Sequence, residues 1–254
     1  MTFAYASVEE AIVRRGVRMV VVGNVPSPWG EAAKGILHIK GIEWAAVRLA
    51  YDSEALQQWV GQRNGPVLIY NDERPRSGWA EILLLAERLA PPLIPAKADE
   101  RALAFGLAHE ICGEGDWAGR AACNLYTPAS AMPAAFLNAC QNILAKKYGY
   151  SPAAGAAAAA RVAELLAMLA ARLKAQQQTG SRYYIGDSLT AVDVYSATFA
   201  AMFDPLPPEV CTMEASTRAA FSARDADIDA ALDPILFAHR DMMYAQHLEL
   251  PLSL

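Results

Sequence analysis

Ser27 stands between two prolines in the run Asn24-Val25-Pro26-Ser27-Pro28-Trp29-Gly30, just ahead of an apparent helix. A hydroxyl at the first turn of a helix has two uses. It can accept a backbone N–H as an N-cap. It can also donate to an anion that the helix N-terminus attracts with its amides and dipole. Pro28 suits the first helical position and brings no N–H, so donation would come from Ser27 itself, Trp29 or Gly30. Glu31 lies four residues on, one beyond capping-box spacing. Asn24 offers a rival donor through its side-chain amide. Capping and activation are both open to Ser27 at this stage.

Other chemistries find less support. Cys112, Cys123, Cys140 and Cys211 show neither CxxC nor zinc-ligand spacing. They read as reduced, mostly buried thiols of a cytoplasmic protein. His38, His109, His239 and His247 are dispersed and form no HExxH pair, so no metal site is expected. A net charge of −5 without a basic run argues against nucleic acid and against an anionic membrane surface. No run reaches the ~18 apolar residues of a membrane span. The alanine-rich stretch after Pro152 is cut by Arg161 and Glu164. The first residues carry Glu9 and Glu10 and no apolar core, unlike a secretory signal. With 54 % hydrophobic and 19 % charged residues, the chain is globular in composition.

These residues need elements to position them. Ser7 with Glu10 forms a capping box for a short leading helix, with Gly16 as its stop. VRMVVVG from Val17 reads as a buried strand. EAAKGILHIKG is a helix closed by Gly41, IEWAAVRLA a second strand and SEALQQWV a short helix. GPVLIYND is a third strand opened by Pro66, an edge strand is placed near DERPR, and GWAEILLLAERLAP is an amphipathic helix. The order from Val17 is β-α-β-α-β-(β)-α, an α/β layer with a crossover helix between parallel strands. A proline-marked linker follows. Helices are expected near 99–112, 128–148, 153–178, 190–203, 213–232 and 233–248. Thr190 with Asp193 forms a second capping box, a stabilising device rather than a catalytic pair. The expected organisation is an N-terminal helical extension over 1–16, an α/β domain over 17–91 and an all-helical domain over 99–254.

Three motifs in this order resemble the glutathione S-transferase family. Ser27-Pro28-Trp29-Gly30 is similar to the reactive turn of a thioredoxin-like fold. Gly65-Pro66-Val67-Leu68 is similar to the family's cis-proline element. Gly186, Leu189, Thr190 and Asp193 match its helical-domain capping motif, with Val192 in place of alanine. The resemblance spans roughly 17–203. It implies a thioredoxin-like N-terminal domain followed by a helical-bundle C-terminal domain, a homodimer, and a cytoplasmic detoxification enzyme. Glutathione would be the co-substrate and a small hydrophobic electrophile the second substrate.

The resemblance also implies roles. Ser27, or alternatively Asn24, would hold the glutathione sulfur as thiolate. A tyrosine activator is not expected, because Tyr5 lies too early in the chain. Trp29, Gly65, Pro66 and Val67 would present backbone to the peptide. The family's acidic-Ser pair falls on Ser77-Gly78, or in another register on Arg76-Ser77. Either way the γ-glutamyl amine loses its carboxylate partner. Arg76 would add positive charge there, and Lys40, with His38 or Arg63 nearby, would meet the glycyl carboxylate. Glu110, Trp117, Arg120 and Tyr126 are candidates for lining the second-substrate site. A catalytically silent binding module, and a glutathione-dependent isomerase or ether-cleaving enzyme, are the competing readings.

Overall fold

The computed structural model describes residues 4–113 and 152–254 apart from 223 and 225. By internal contacts the chain divides into two compact units. One comprises Met1–Leu93 with Leu206–Met213 and Tyr244–Leu254; the other comprises Ile94–Pro205 with Glu214–Met243.

The first unit holds α1 (Val8–Val13), β1 (Val17–Val21), α2 (Pro28–Ile39), β2 (Trp44–Arg48), α3 (Glu54–Val60), β3 (Val67–Tyr70) and α4 (Trp79–Leu89). The sheet order is β2-β1-β3. β1 runs parallel to β2, with Val20 opposite Val47, and antiparallel to β3, with Val20 opposite Val67. All of β1 is buried, which explains its unbroken apolar character. Its period of two splits it between two layers. Val20, Val47, Val67 and Ile69 form one core with Val8 and Ala11 of α1 and Leu56 and Val60 of α3. Met19, Ala46 and Leu68 point to the opposite face, and α2 packs against α4.

Two expectations change here. The edge strand near DERPR is a single bridge, in which Leu68 and Arg76 exchange backbone bonds of 2.8 and 2.9 Å. Pro66, which falls at the next hydrogen-bonded position of this antiparallel register, has no N–H to extend the pairing. The leading residues are not a separate extension. Ala6 pairs with β2 through its N–H to the Ala46 carbonyl at 2.9 Å, and α1 lies on the shared core. The Ser7–Glu10 capping box is present, but α1 ends at Arg14, short of Gly16, whose φ of +87° serves the turn into β1.

The second unit contains α5 (Ala98–Cys112), α6 (Pro152–Gln178), α7 (Ala191–Ala200), α8 (Ala215–Phe221) and α9 (Ala226–Ala231). α10 (Pro234–Gln246) closes the helical series. α5 packs on α7, and α6 on α9. The expected helix over 213–232 is broken into α8 and α9. Ser222 returns its hydroxyl to the Arg218 carbonyl at 2.9 Å, a local bond that competes with continuing the helix. The helix expected over 128–148, with Cys123 and Cys140, lies outside the described residues.

α7 is buried along its whole length and its start is capped as expected. Asp193 Oδ2 accepts the Thr190 N–H at 2.8 Å and the Thr190 hydroxyl at 2.9 Å. Its other oxygen accepts the Tyr184 N–H at 2.9 Å and His239 Nε2 at 3.0 Å. Tyr184 and Ser196 hydroxyls meet at 2.8 Å, and burial pushes the Tyr184 phenol well above its ordinary range. Asp193 is thus a structural hub.

Candidate functional site

The site begins where β1 ends. Gly23 has little room for a side chain: a Cβ there would lie 2.9 Å from Arg48 Nε and 3.2 Å from the Tyr5 hydroxyl. Asn24 follows, exposed and with a φ of +63°, a left-handed position that asparagine tolerates better than most residues. The Ser27 N–H turns back to the Val25 carbonyl at 2.8 Å. The Ser27 carbonyl takes the first helical bond, from the Glu31 N–H at 2.8 Å.

Ser27 is therefore the N-cap residue of α2, with Pro28 at N1. Its side chain makes no capping hydrogen bond. The open side of Gly30 faces it; a Cβ on Gly30 would stand 3.6 Å from Ser27 Cβ and 3.9 Å from Oγ. Trp29 lies between them, half-buried at N2.

The cis-proline turn reaches the same end of the sheet. The Gly65–Pro66 bond is cis. A Cβ on Gly65 would contact the Val20 carbonyl at 3.5 Å and the Val22 nitrogen at 3.7 Å, beside the end of β1. The Gly65 N–H is already held by Asn64 Oδ1 at 2.9 Å. Val67 is buried in the core, so only its backbone could face a ligand.

The start of α4 is the third component. Gly78 is its N-cap, with Ser77 immediately before it. Of the two candidate pairs, Ser77-Gly78 stands at the helix start and Arg76-Ser77 one residue earlier. Gly78 has no side chain to offer, and Glu81 at N3 takes its place. The Glu81 carboxylate is paired to Arg74 at 2.8 Å and lies where a Cβ on Gly78 would come within 3.5 Å of Oε2. Its acidity is raised first by Arg74, then by the backbone N–H groups of Gly78 and Ser77, so its pKa falls below the usual carboxylate range.

Two cations expected in the site are engaged elsewhere. Lys40 has a side chain only 1 % exposed; its ammonium pairs with Glu87 at 2.7 Å and donates to the Ala90 carbonyl at 3.4 Å and to Pro91. It fastens the end of α2 to the end of α4 rather than facing a ligand. Arg76 pairs with Glu73 at 2.7 Å and donates to the Arg74 carbonyl at 3.0 Å. Glu73 also takes Arg88 at 2.6 Å, so this guanidinium braces a turn. Arg63 donates to the Tyr51 carbonyl at 2.9 Å, while His38 is exposed at the end of α2.

Among the second-substrate candidates, Glu110 is paired with Arg161 at 2.6 Å. Trp117, Arg120 and Tyr126 lie outside the described residues. Sequence reasoning missed two groups. Glu81 was readable as an acid three residues after the helix cap. Tyr5 was set aside as too early, yet the Ala6 pairing carries its hydroxyl to Gly23. That long-range placement leaves no local signal.

Among the described residues, no group of three or more His, Cys, Asp or Glu side chains could hold a metal ion. No helix among them is long and apolar enough to cross a membrane.

Comparison with known proteins gives a domain match and a fold match. The family model for the glutathione S-transferase C-terminal domain matches residues 129–221. Residues 129–221 thus resemble the C-terminal domain of the glutathione S-transferases. Solved structures extend the likeness across the fold. A glutathione transferase family member from Pseudomonas fluorescens, with two glutathione bound, is 13 % identical with a TM-score of 0.62. The match covers 96 % of this chain and 95 % of that one. A rice glutathione transferase in complex with glutathione is 20 % identical, covers 94 % of both chains and scores 0.58. A glutathione S-transferase from Methylobacterium radiotolerans, in complex with glutathione sulfonate, is 21 % identical, covers 91 % of both and scores 0.57. A search of the curated proteins finds no match. The thioredoxin-like domain and helical C-terminal domain are those of a glutathione S-transferase fold.

Proposed function

We propose that this glutathione S-transferase-fold protein binds glutathione and uses its thiolate as nucleophile on a small hydrophobic electrophile. The observation that carries the reading is Ser27: an N-cap hydroxyl at the β1–α2 junction that makes no capping bond. A free cysteine thiol titrates near ~8.5 and is only a few per cent ionised at neutral pH. A hydroxyl donating to sulfur, with the first-turn amides of α2 adding positive potential, favours the thiolate. Asn24, exposed in the same turn, is the alternative donor. The cis-proline turn, beside the end of β1, offers the Gly65 and Val67 backbone once Asn64 releases the Gly65 N–H.

A second reading has a specific observation behind it. The α4 start, where a γ-glutamyl carboxylate would bind, is served by the protein's own Glu81 and Arg74. Arg76 and Lys40 are committed to Glu73 and Glu87. A binding module that retains the fold without transferase turnover has these features too. An isomerase or ether-cleaving activity would use the same thiolate and differs only in the second substrate.

Thermal unfolding with and without millimolar glutathione separates binding from its absence. The enzyme reading expects a rise in melting temperature; no shift at saturation would contradict it. Ser27→Ala is expected to lower kcat more than it changes KM, because the lost hydrogen bond strengthens as thiolate charge develops. A homodimer and a reducing, cytoplasmic setting go with this reading. Light scattering of the pure protein is expected to give twice the chain mass, and a monomer mass would remove the dimer.

A further inference from the structure

Glu31 and Lys34 of α2 are buried charged residues that the proposed chemistry does not use. Their side chains are 7 % and 10 % exposed, and their charged ends are 2.6 Å apart. The C-terminal segment covers them. Lys34 Nζ donates to the Ser253 carbonyl at 2.7 Å. The Leu252 N–H donates to the Val210 carbonyl at 2.7 Å, which pins the segment from its other side. Leu248 and Ser253 are buried, and the Ser253 hydroxyl donates to Glu249 at 3.4 Å. A cavity of about 10 Å³ remains beside Glu31 and Lys34, bordered by Tyr244, Glu249 and Leu252, at the lower bound for one water.

We propose that residues 248–253 form a strap that docks on α2, and that uptake of one proton by Glu31 fastens it. The charges explain the direction. Glu31 is faced by Lys34 on its own helix, by Glu249 from the strap, by Tyr244 from α10, and by Tyr5 from the N-terminal segment with Arg48 beside it. Burial is the largest influence on Glu31 and raises its pKa; Lys34 opposes this and Glu249 reinforces it.

Lifting the strap returns Glu31 to water, where its affinity for a proton is ordinary. The docked form therefore binds the proton more tightly. Docking is complete below the ordinary glutamate range and weakens as pH rises through the raised value, by about tenfold per pH unit in that window. Lys34 keeps its bond to the Ser253 carbonyl in either protonation state. The Glu31 N–H is bonded to the Ser27 carbonyl, so the strap closes on the first turn of α2. The proposal stands apart from the glutathione reading.

Hydrogen exchange of the Leu252 amide in the full-length protein tests it, with rates corrected for intrinsic pH dependence. Wild-type protection is expected to fall as pH rises from the ordinary glutamate range through the raised Glu31 value, by up to about tenfold per unit. Glu31→Gln, neutral and nearly isosteric, is expected to stay protected and flat across the range. Glu249→Gln is expected to keep the fall and move it to lower pH. A flat wild-type profile, or an unchanged fall in Glu31→Gln, would overturn the proposal. So would an equal fall at the Val20 amide in β1, which would signal global unfolding.

Discussion

Ser27 occupies an N-cap position without capping, and that leaves its hydroxyl for other work. Gly30 matters beside it, because any side chain there would press on Ser27 at van der Waals distance. Gly30→Ala is tolerable sterically but is expected to restrict the space a sulfur would share with Oγ. Under the proposed reading, Glu81 is the other residue that would shape affinity. It pairs with Arg74 at the α4 start, where it would compete with an incoming carboxylate. Glu81→Gln is expected to tighten glutathione binding about two- to fivefold, the range of one anion–helix-terminus interaction. Isothermal titration checks this, and weaker binding in the variant would show that Glu81 assists the ligand instead. The Ser27 turn was legible because proline and serine punctuate a strand-to-helix change locally. The engagement of Lys40 was not, because Glu87 reaches it only once α2 packs on α4.

At the scale of elements, α7 shows how a local signal can understate its importance. The Thr190–Asp193 box was readable from spacing alone. Tyr184 and His239, which also lean on Asp193, come from other parts of the chain and left no trace in that spacing. Asp193 is fully buried. Asp193→Ala would strand the Thr190 and Tyr184 N–H groups and His239, at a cost on the order of 3 kcal/mol. Urea unfolding measures it; a variant as stable as wild type would remove Asp193 as a hub. The division between α8 and α9 is the opposite case, since helical periodicity runs across it while Ser222 ends the first helix with a bond to its own turn.

At the scale of the molecule, the chain's first and last segments both belong to the thioredoxin-like unit. α1 covers the sheet with Val8 and Ala11, packed on Val20, Val47 and Val67. Removing residues 1–13 would uncover that core. The truncated protein is expected to unfold at markedly lower urea concentration, and unchanged stability would show α1 to be dispensable. Sequence periodicity gave no hint of this, because a short helix with four exposed residues among six reads as an appendage. The succession of strands and helices and the two-part organisation were legible, since they follow from where strand signals stop; the antiparallel placing of β3 beside β1 was not. The proposed chemistry turns on the loss of a proton from sulfur. Ultraviolet absorbance of glutathione thiolate, titrated against pH on the wild-type protein and on Ser27→Ala, tests it most directly. A bound thiol pKa below the free value of about 8.5 is expected in wild type, with a return toward it in Ser27→Ala. A wild-type value equal to that of free glutathione, or a lowered value that survives loss of the Ser27 hydroxyl, would contradict it.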